Sequence, residues 1–82
     1  MGRCEKLLDK ARRNPSGLRF RELIHLCECH GFVFSRHAGS HRIQKHRGLR
    51  RSIALQGARG MAKAYQVRQL LEMIEDSEGT HG

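Results

Sequence analysis

Tryptophan is absent from this chain, tyrosine and proline occur once each, and three phenylalanines complete the aromatic set. Recognition of single-stranded nucleic acid by a row of stacking rings is therefore disfavoured, the more so because the phenylalanines are expected in the core. No apolar run approaches the ~18 residues of a membrane span. The opening stretch, MGRCEKLLDK, lacks the apolar centre of a secretory leader. Lys6 stands where N-myristoylation after Met1-Gly2 needs Ser or Thr, so no lipid anchor is expected. Three cysteines, an odd number without a leader, are expected to remain reduced thiols in a cytoplasmic protein. The largest gap is in acidic residues, of which none lies between Glu28 and Glu72.

That interval instead carries Arg36, Arg42, Lys45, Arg47, Arg50, Arg51, Arg59, Lys63 and Arg68, within a chain of formal net charge +8. Such a block is an electrostatic footprint for phosphate. The plainer alternative is a solvated face, but surfaces that serve solubility alone usually mix both signs. A polyanion or an acidic protein is the expected partner. The 82 residues make one domain, 1–82. A domain this small buries only about 60% of its unfolded surface, so its stability margin is thin.

Cys4, Leu7, Leu8 and Ala11 recur at helical spacing, which predicts an amphipathic helix over 3–13, ended by the breakers in NPSG. Phe20, Leu23, Ile24 and Cys27 predict a second helix over 20–30, stopped at His30-Gly31. The period then changes. FVFSR (32–36), SHRIQKH (40–46) and RSIAL (51–55) read as strands, with turns at Ala38-Gly39 and Arg47-Gly48. QGARG (56–60) reads as a flexible loop, and Val67, Leu70, Leu71 and Ile74 predict a last helix over 63–76. Residues 77–82 are expected to fray. The order α-α-β-β-β-α implies an α+β domain, a three-stranded antiparallel sheet with helices packed on one face. Its α-β-β-β-α part has the element order of double-stranded-RNA-binding folds, an analogy of architecture only.

The stretch SRHAGSHRIQKHRG (35–48) sets three histidines among four cations with no acid. On strand 40–46 side chains alternate, so His41, Ile43 and Lys45 share one face and Ser40, Arg42, Gln44 and His46 the other. With Ile43 directed to the helices, His41 falls on the same side at the rim, held by packing yet open. An imidazole there has an ordinary pKa near 6.5 and can act as base or acid near neutrality. RNA cleavage by internal transfer needs that chemistry, with a base for the 2′-OH proton, an acid for the departing 5′-oxygen, and cations for the phosphate. His37 and His46 are candidates for a second proton carrier. An ordinary rim histidine held by a backbone hydrogen bond fits the spacing as well.

LRFRELIHLCECHGFVFSRHAGSHRIQKH, followed by IALQGARGMAKAYQVRQLLEMIE, resembles the HicA-type (YcfA-like) toxin family of bacterial toxin–antitoxin systems over roughly residues 4–76. The similarity rests on Gly31-Phe32 at a strand start, Arg36, Gly39-Ser40-His41, Arg42, Ile43 and His46 in that order, then a Tyr-Gln-Val-Arg-Gln run opening the last helix. The resemblance implies a double-stranded-RNA-binding-like fold, metal-independent cleavage of mRNA, and neutralisation by a HicB-like antitoxin. It assigns the catalytic role to His41. The chain departs from the family pattern at Arg42, where a second His is common, at Gln44, often aromatic, and at Ala64, usually Pro. If the second His is the operative one, the chain binds RNA without cutting it. The expected RNA contacts are Arg36, Ser40, Arg42, Lys45, His46, Arg50, Arg51 and Lys63, and no cofactor is expected.

Other residues invite weaker readings. Cys27, Cys29 and His30 with His37 could suggest zinc, but Cys-x-Cys within a helix points its thiols about 200° apart, and structural zinc pairs usually lie on turns. Cys27 fits the buried stripe as a small apolar side chain. No metal site is expected. Gly57 and Gly60 before a helix could cradle phosphate, but a hinge or turn explains them better. Tyr65 fits a core or interface role better than a base-stacking one. Met61 and Met73 fit as gap-fillers or partner contacts.

Overall fold

The computed structural model describes residues 2–48 and 50–79. Among them the order is α1 (Arg3–Arg13), a 3-10 turn (Pro15–Gly17), α2 (Phe20–Cys29), β1 (Phe32–Ala38), β2 (His41–His46), β3 (Ser52–Leu55), β4 (Gly57–Ala58), β5 (Met61–Ala62) and α3 (Ala64–Gly79). β1, β2 and β3 form one antiparallel sheet in that order, and β4 and β5 a separate small hairpin. The α+β architecture expected from the sequence is present. No helix among the described residues is long and apolar enough to cross a membrane.

The helices form where the apolar spacing predicts them. Leu7 and Ala11 of α1, Leu23, Leu26 and Cys27 of α2, and Val67, Leu70, Met73 and Ile74 of α3 are buried in one cluster with Phe32, Ile53 and Leu55 from the sheet. Burial pushes the Cys27 thiol up to about 12, so it stays protonated and packs as an apolar group. Glu22 holds α2 at its start. Its carboxylate accepts the Arg19 backbone N–H at 2.9 Å and pairs with Lys10 Nζ of α1 at 3.0 Å. The backbone hydrogen bond, aided by Lys10, holds the Glu22 carboxyl below its ordinary value. At the far end of α2, Gly31 adopts φ 88°, the left-handed conformation that closes the helix and turns the chain into β1.

Several expectations need correction. The segment 56–60 is not a plain loop. Gly57 pairs with Ala62 and Ala58 with Met61, and Arg59-Gly60 makes a turn with both residues at positive φ. This hairpin is tied to the start of α2, since Phe20 N donates to Gly60 O and Ala62 N donates to Leu18 O, both at 2.9 Å. β1 continues to Ala38, so the β1–β2 turn is Gly39-Ser40 rather than Ala38-Gly39, and Ser40 leaves the strand. α3 continues through Gly79 where 77–82 was expected to fray, and residues 80–82 lie outside the described residues. Two of the three thiols expected to be reduced are joined, Cys4 to Cys29, with Cα atoms 5.8 Å apart. Cys4 opens α1 and Cys29 ends α2, so packing of the two helices brings together residues far apart in sequence.

Candidate functional site

β2 is the central strand, and its register decides which side chains reach which face. Gln44 lies opposite Phe34 of β1 and Ile53 of β3, Arg42 opposite His37 and Leu55, and His46 opposite Phe32. Directly paired residues share a face. Phe32, Ile53 and Leu55 belong to the core cluster, so Arg42, Gln44 and His46 form the row facing the helices. Ile43 lies opposite Arg36 and Ala54, on the other face, and is 9% exposed without joining that cluster. The expectation that Ile43 points to the helices is therefore reversed, and His41 and Lys45 move with it to the outer face. A bulge at Ser35 between Phe34 and Arg36 switches the alternation of β1. As a result Arg36 falls on the outer face and His37 on the helix-facing side.

The inner row is tied together by hydrogen bonds. Gln44, fully buried, accepts from Arg42 Nε at 2.8 Å and donates to the Phe32 carbonyl at 3.3 Å. The Arg42 guanidinium lies 4.3 Å from the Phe34 ring centroid, and the Phe34 and His37 rings lie 5.1 Å apart. Phe34 is 43% exposed, which corrects the expectation that the phenylalanines are buried. His46 meets the Phe32 ring edge-on at 4.7 Å, and its Nδ1 accepts the Gly48 backbone N–H at 3.0 Å. That bond commits Nδ1 to shaping the β2–β3 turn.

Beside the hairpin tip, a cleft of about 320 Å³ is lined by Phe20 and Ile24 of α2, His37, Ser40 and Arg42 of the hairpin, and Gly57 and Gly60 of the small hairpin. A Cβ on Gly57 would come within 2.9 Å of the Phe20 ring, so glycine lets the small hairpin close against α2 there. The Ser40 hydroxyl accepts from Gln56 Nε2 at 3.0 Å, and Gln56 Oε1 accepts from Lys63 Nζ at 3.5 Å. Gln66 steadies this corner from α3. Its amide donates to the Ala54 carbonyl at 3.1 Å and accepts the Gln56 N–H at 3.0 Å.

The residues expected to bind RNA thus divide into three groups. His41, Arg36 and Lys45 are on the outer face, where His41 is half-buried at the hairpin end and the two cations are exposed. Ser40 and Arg42 line the cleft together with His37, and Lys63 is linked to Ser40 through Gln56. Lys45, His46, Arg50, Arg51 and Ser52 line a second groove of about 200 Å³ at the other end of the sheet. There Arg51 pairs with Asp76 at 2.9 Å, an exposed ion pair of small energetic weight. His46 is five residues from His41 along the strand, about 16 Å at the usual rise, so the two rings cannot serve one phosphate. His37 is near in sequence but on the opposite face.

Among the described residues no side-chain hydrogen bond or ion pair engages His41, Arg36 or Lys45. Their donors and the His41 ring nitrogens are open to a ligand, and an imidazole beside exposed cations suits proton transfer next to a bound phosphate. Sequence reasoning missed Phe34 as a surface ring, because alternation sets it on the same face as the buried Phe32. It also missed a group of Cys4, His25 and Cys29 whose ligand atoms lie within 4.8 Å of one another. The i, i+4 spacing of His25 and Cys29 on one helix was a readable signal for that group. The cysteine and histidine set weighed from the sequence is not brought together, because Cys27 faces the core and Cys29 faces α1. Comparison with family models, with curated proteins and with solved structures returned no match.

Proposed function

We propose that this protein is a metal-independent endoribonuclease toxin of the HicA-like type, cleaving mRNA through His41 and held in check by a HicB-like antitoxin. The observation that carries the reading is the half-exposed His41 at the tip of the β1–β2 hairpin, on a face shared with the exposed cations Arg36 and Lys45. The helix, three-strand and helix order after α1 fits a double-stranded-RNA-binding-like fold, which suits a basic surface that follows a phosphate backbone. The setting is the cytoplasm, where mRNA is translated.

In this reading the imidazole takes the proton of a 2′-OH. The 2′-oxygen attacks the adjacent phosphorus, and the bond to the 5′-oxygen breaks. That oxygen takes a proton from solvent and leaves as a 5′-hydroxyl, the imidazolium returns its proton to solvent, and the strand ends in a 2′,3′-cyclic phosphate. Arg36, paired with Ile43 two residues from His41, offsets the charge that builds on the non-bridging oxygens, and Lys45, four residues along the strand, holds a more distant phosphate of the backbone. An acidic antitoxin lying over the hairpin tip would inhibit by occupancy. The test is cleavage of labelled mRNA by the purified wild type and by His41→Ala. Loss of cutting by a folded variant is expected, and undiminished cutting would rule the proposal out.

A second reading is a non-catalytic RNA-binding module. It is favoured by one observation: neither His37 nor His46 shares the face of His41. Here the cleft takes the backbone through Arg42, Ser40 and His37, and the exposed Phe34 supports a base. Binding that falls steeply with salt is common to both readings. Strand scission belongs only to the first.

A further inference from the structure

The disulfide joining α1 to α2 has a third member. His25 stands one helical turn before Cys29, and the sulfur atoms of Cys4 and Cys29 and a ring nitrogen of His25 lie mutually within 4.8 Å. Residues four apart on a helix project from the same face, so His25 and Cys29 both point toward α1, and Cys4 meets them from its first turn. His25 also lines a cleft of about 380 Å³ between the helices, bounded by Leu7, Lys10, Arg21 and Glu22 as well, which opens the site to solvent.

Two sulfurs and an imidazole are the donor set of a thiophilic, tetrahedral cation. Zinc takes Cys sulfur at about 2.3 Å and His nitrogen at about 2.0 Å, so its ligand atoms sit roughly 3–4 Å apart. The ring nitrogen and both sulfurs lie within 4.8 Å of one another, and once the bond between the sulfurs is opened they need only part to reach that spacing. Magnesium and calcium prefer oxygen ligands and are not matched. Two thiolates balance the two charges of zinc, so the loaded centre is neutral. Cys27 does not compete, being sealed in the core and held as a thiol.

We propose that Cys4, His25 and Cys29 form a redox-gated zinc site, with one open coordination position filled from solvent. In the oxidised chain the two sulfurs are bonded to each other and zinc is excluded. A phosphine reductant opens the bond: the phosphine becomes its oxide, taking an oxygen from water, and the two sulfurs each gain a proton. Zinc then displaces those protons. A small-molecule disulfide reverses the change, since the two thiolates join, zinc leaves, and the reagent is released as two thiolates. The site clips α1 to α2 in either state, and it does not depend on the nuclease reading.

The test uses the full chain and zinc alone as probe. Oxidised and phosphine-reduced protein are titrated with zinc against a chromophoric chelator, and cobalt is substituted to reveal thiolate ligation by its near-ultraviolet charge-transfer band. Expected are one zinc per reduced chain, none per oxidised chain, and a cobalt spectrum typical of two thiolates. Affinity should fall at least tenfold in Cys4→Ser, in Cys29→Ser and in His25→Ala, and remain unchanged in Cys27→Ser. His25→Ala retains the disulfide, and its far-ultraviolet circular dichroism separates loss of a ligand from loss of fold. Zinc uptake by the oxidised chain, no uptake by the reduced chain, or full affinity in a folded His25→Ala protein would each overturn the proposal.

Discussion

Both faces of β2 carry polar residues, Arg42, Gln44 and His46 on one and His41 and Lys45 on the other, and the fold treats them oppositely. On the face toward the helices, Arg42, Gln44 and His46 are bound into the fold by Phe32, Phe34 and the turn at Gly48. On the outer face, His41 and Lys45 have no such bonds among the described residues, and Arg36 beside them is exposed. A polar side chain under a helical layer must be satisfied internally or cost the domain stability. One facing water keeps its hydrogen-bonding capacity for a ligand. Substitutions on the inner face should therefore act on stability, and those on the outer face on activity.

The largest effect is expected at His41. Its replacement by Ala should lower RNA cleavage at least ~100-fold, the scale of a lost general base, while the urea midpoint stays unchanged. The inner face should answer in the reverse sense. Gln44→Leu removes the partner of the buried Phe32 carbonyl and of Arg42 Nε, and should cost about 2 kcal/mol in urea unfolding. Because Arg42 loses its anchor without loss of charge, RNA affinity should change little. An activity loss at Gln44 larger than its stability loss would break the distinction between the faces.

Smaller effects sharpen it. Arg36→Gln and Lys45→Gln should each weaken RNA binding severalfold and each reduce the salt dependence by about one counterion, with the folded state as stable as before. The smallest effect is in acid. Glu22 titrates below its ordinary value in the folded protein, so its contribution to stability is present above the unfolded-state value and is lost as pH falls through the folded one. Urea midpoints should decline through and below the ordinary glutamate range, and Glu22→Gln should flatten that decline. The step is modest, because the Lys10 side chain is 45% exposed.

Much of this architecture is readable in the residues themselves. Cys4, Leu7, Leu8 and Ala11, then Phe20, Leu23, Ile24 and Cys27, then Val67, Leu70, Leu71 and Ile74 mark three helices by spacing alone. Leu7, Ala11, Leu23, Cys27, Val67, Leu70 and Ile74 are buried, while Leu8, Phe20, Ile24 and Leu71 are partly buried against the core. The strands are legible as strands, but the facing of β2 is not. Ile43 is the most apolar residue of SHRIQKH, so alternation directs it inward. The register instead opposes Gln44 to Phe34 and Ile53, and the amide enters the core because Arg42 and the Phe32 carbonyl satisfy it. Cross-strand pairing of this kind is invisible in one strand read alone. The small hairpin at 57–62 is hidden for another reason, since two-residue strands are too short to alternate. The Cys4–Cys29 link spans 25 positions and follows from helix packing, which no local spacing encodes.

The outer-face histidine is tested most directly by the chemistry of the cut ends. RNA treated in the presence of EDTA with wild type and with His41→Ala should be analysed for terminal groups. Cleavage by the wild type should leave 2′,3′-cyclic phosphate and 5′-hydroxyl ends that the variant does not produce. Ends bearing 3′-hydroxyl and 5′-phosphate, or the same cyclic ends from a folded His41→Ala protein, would contradict the account.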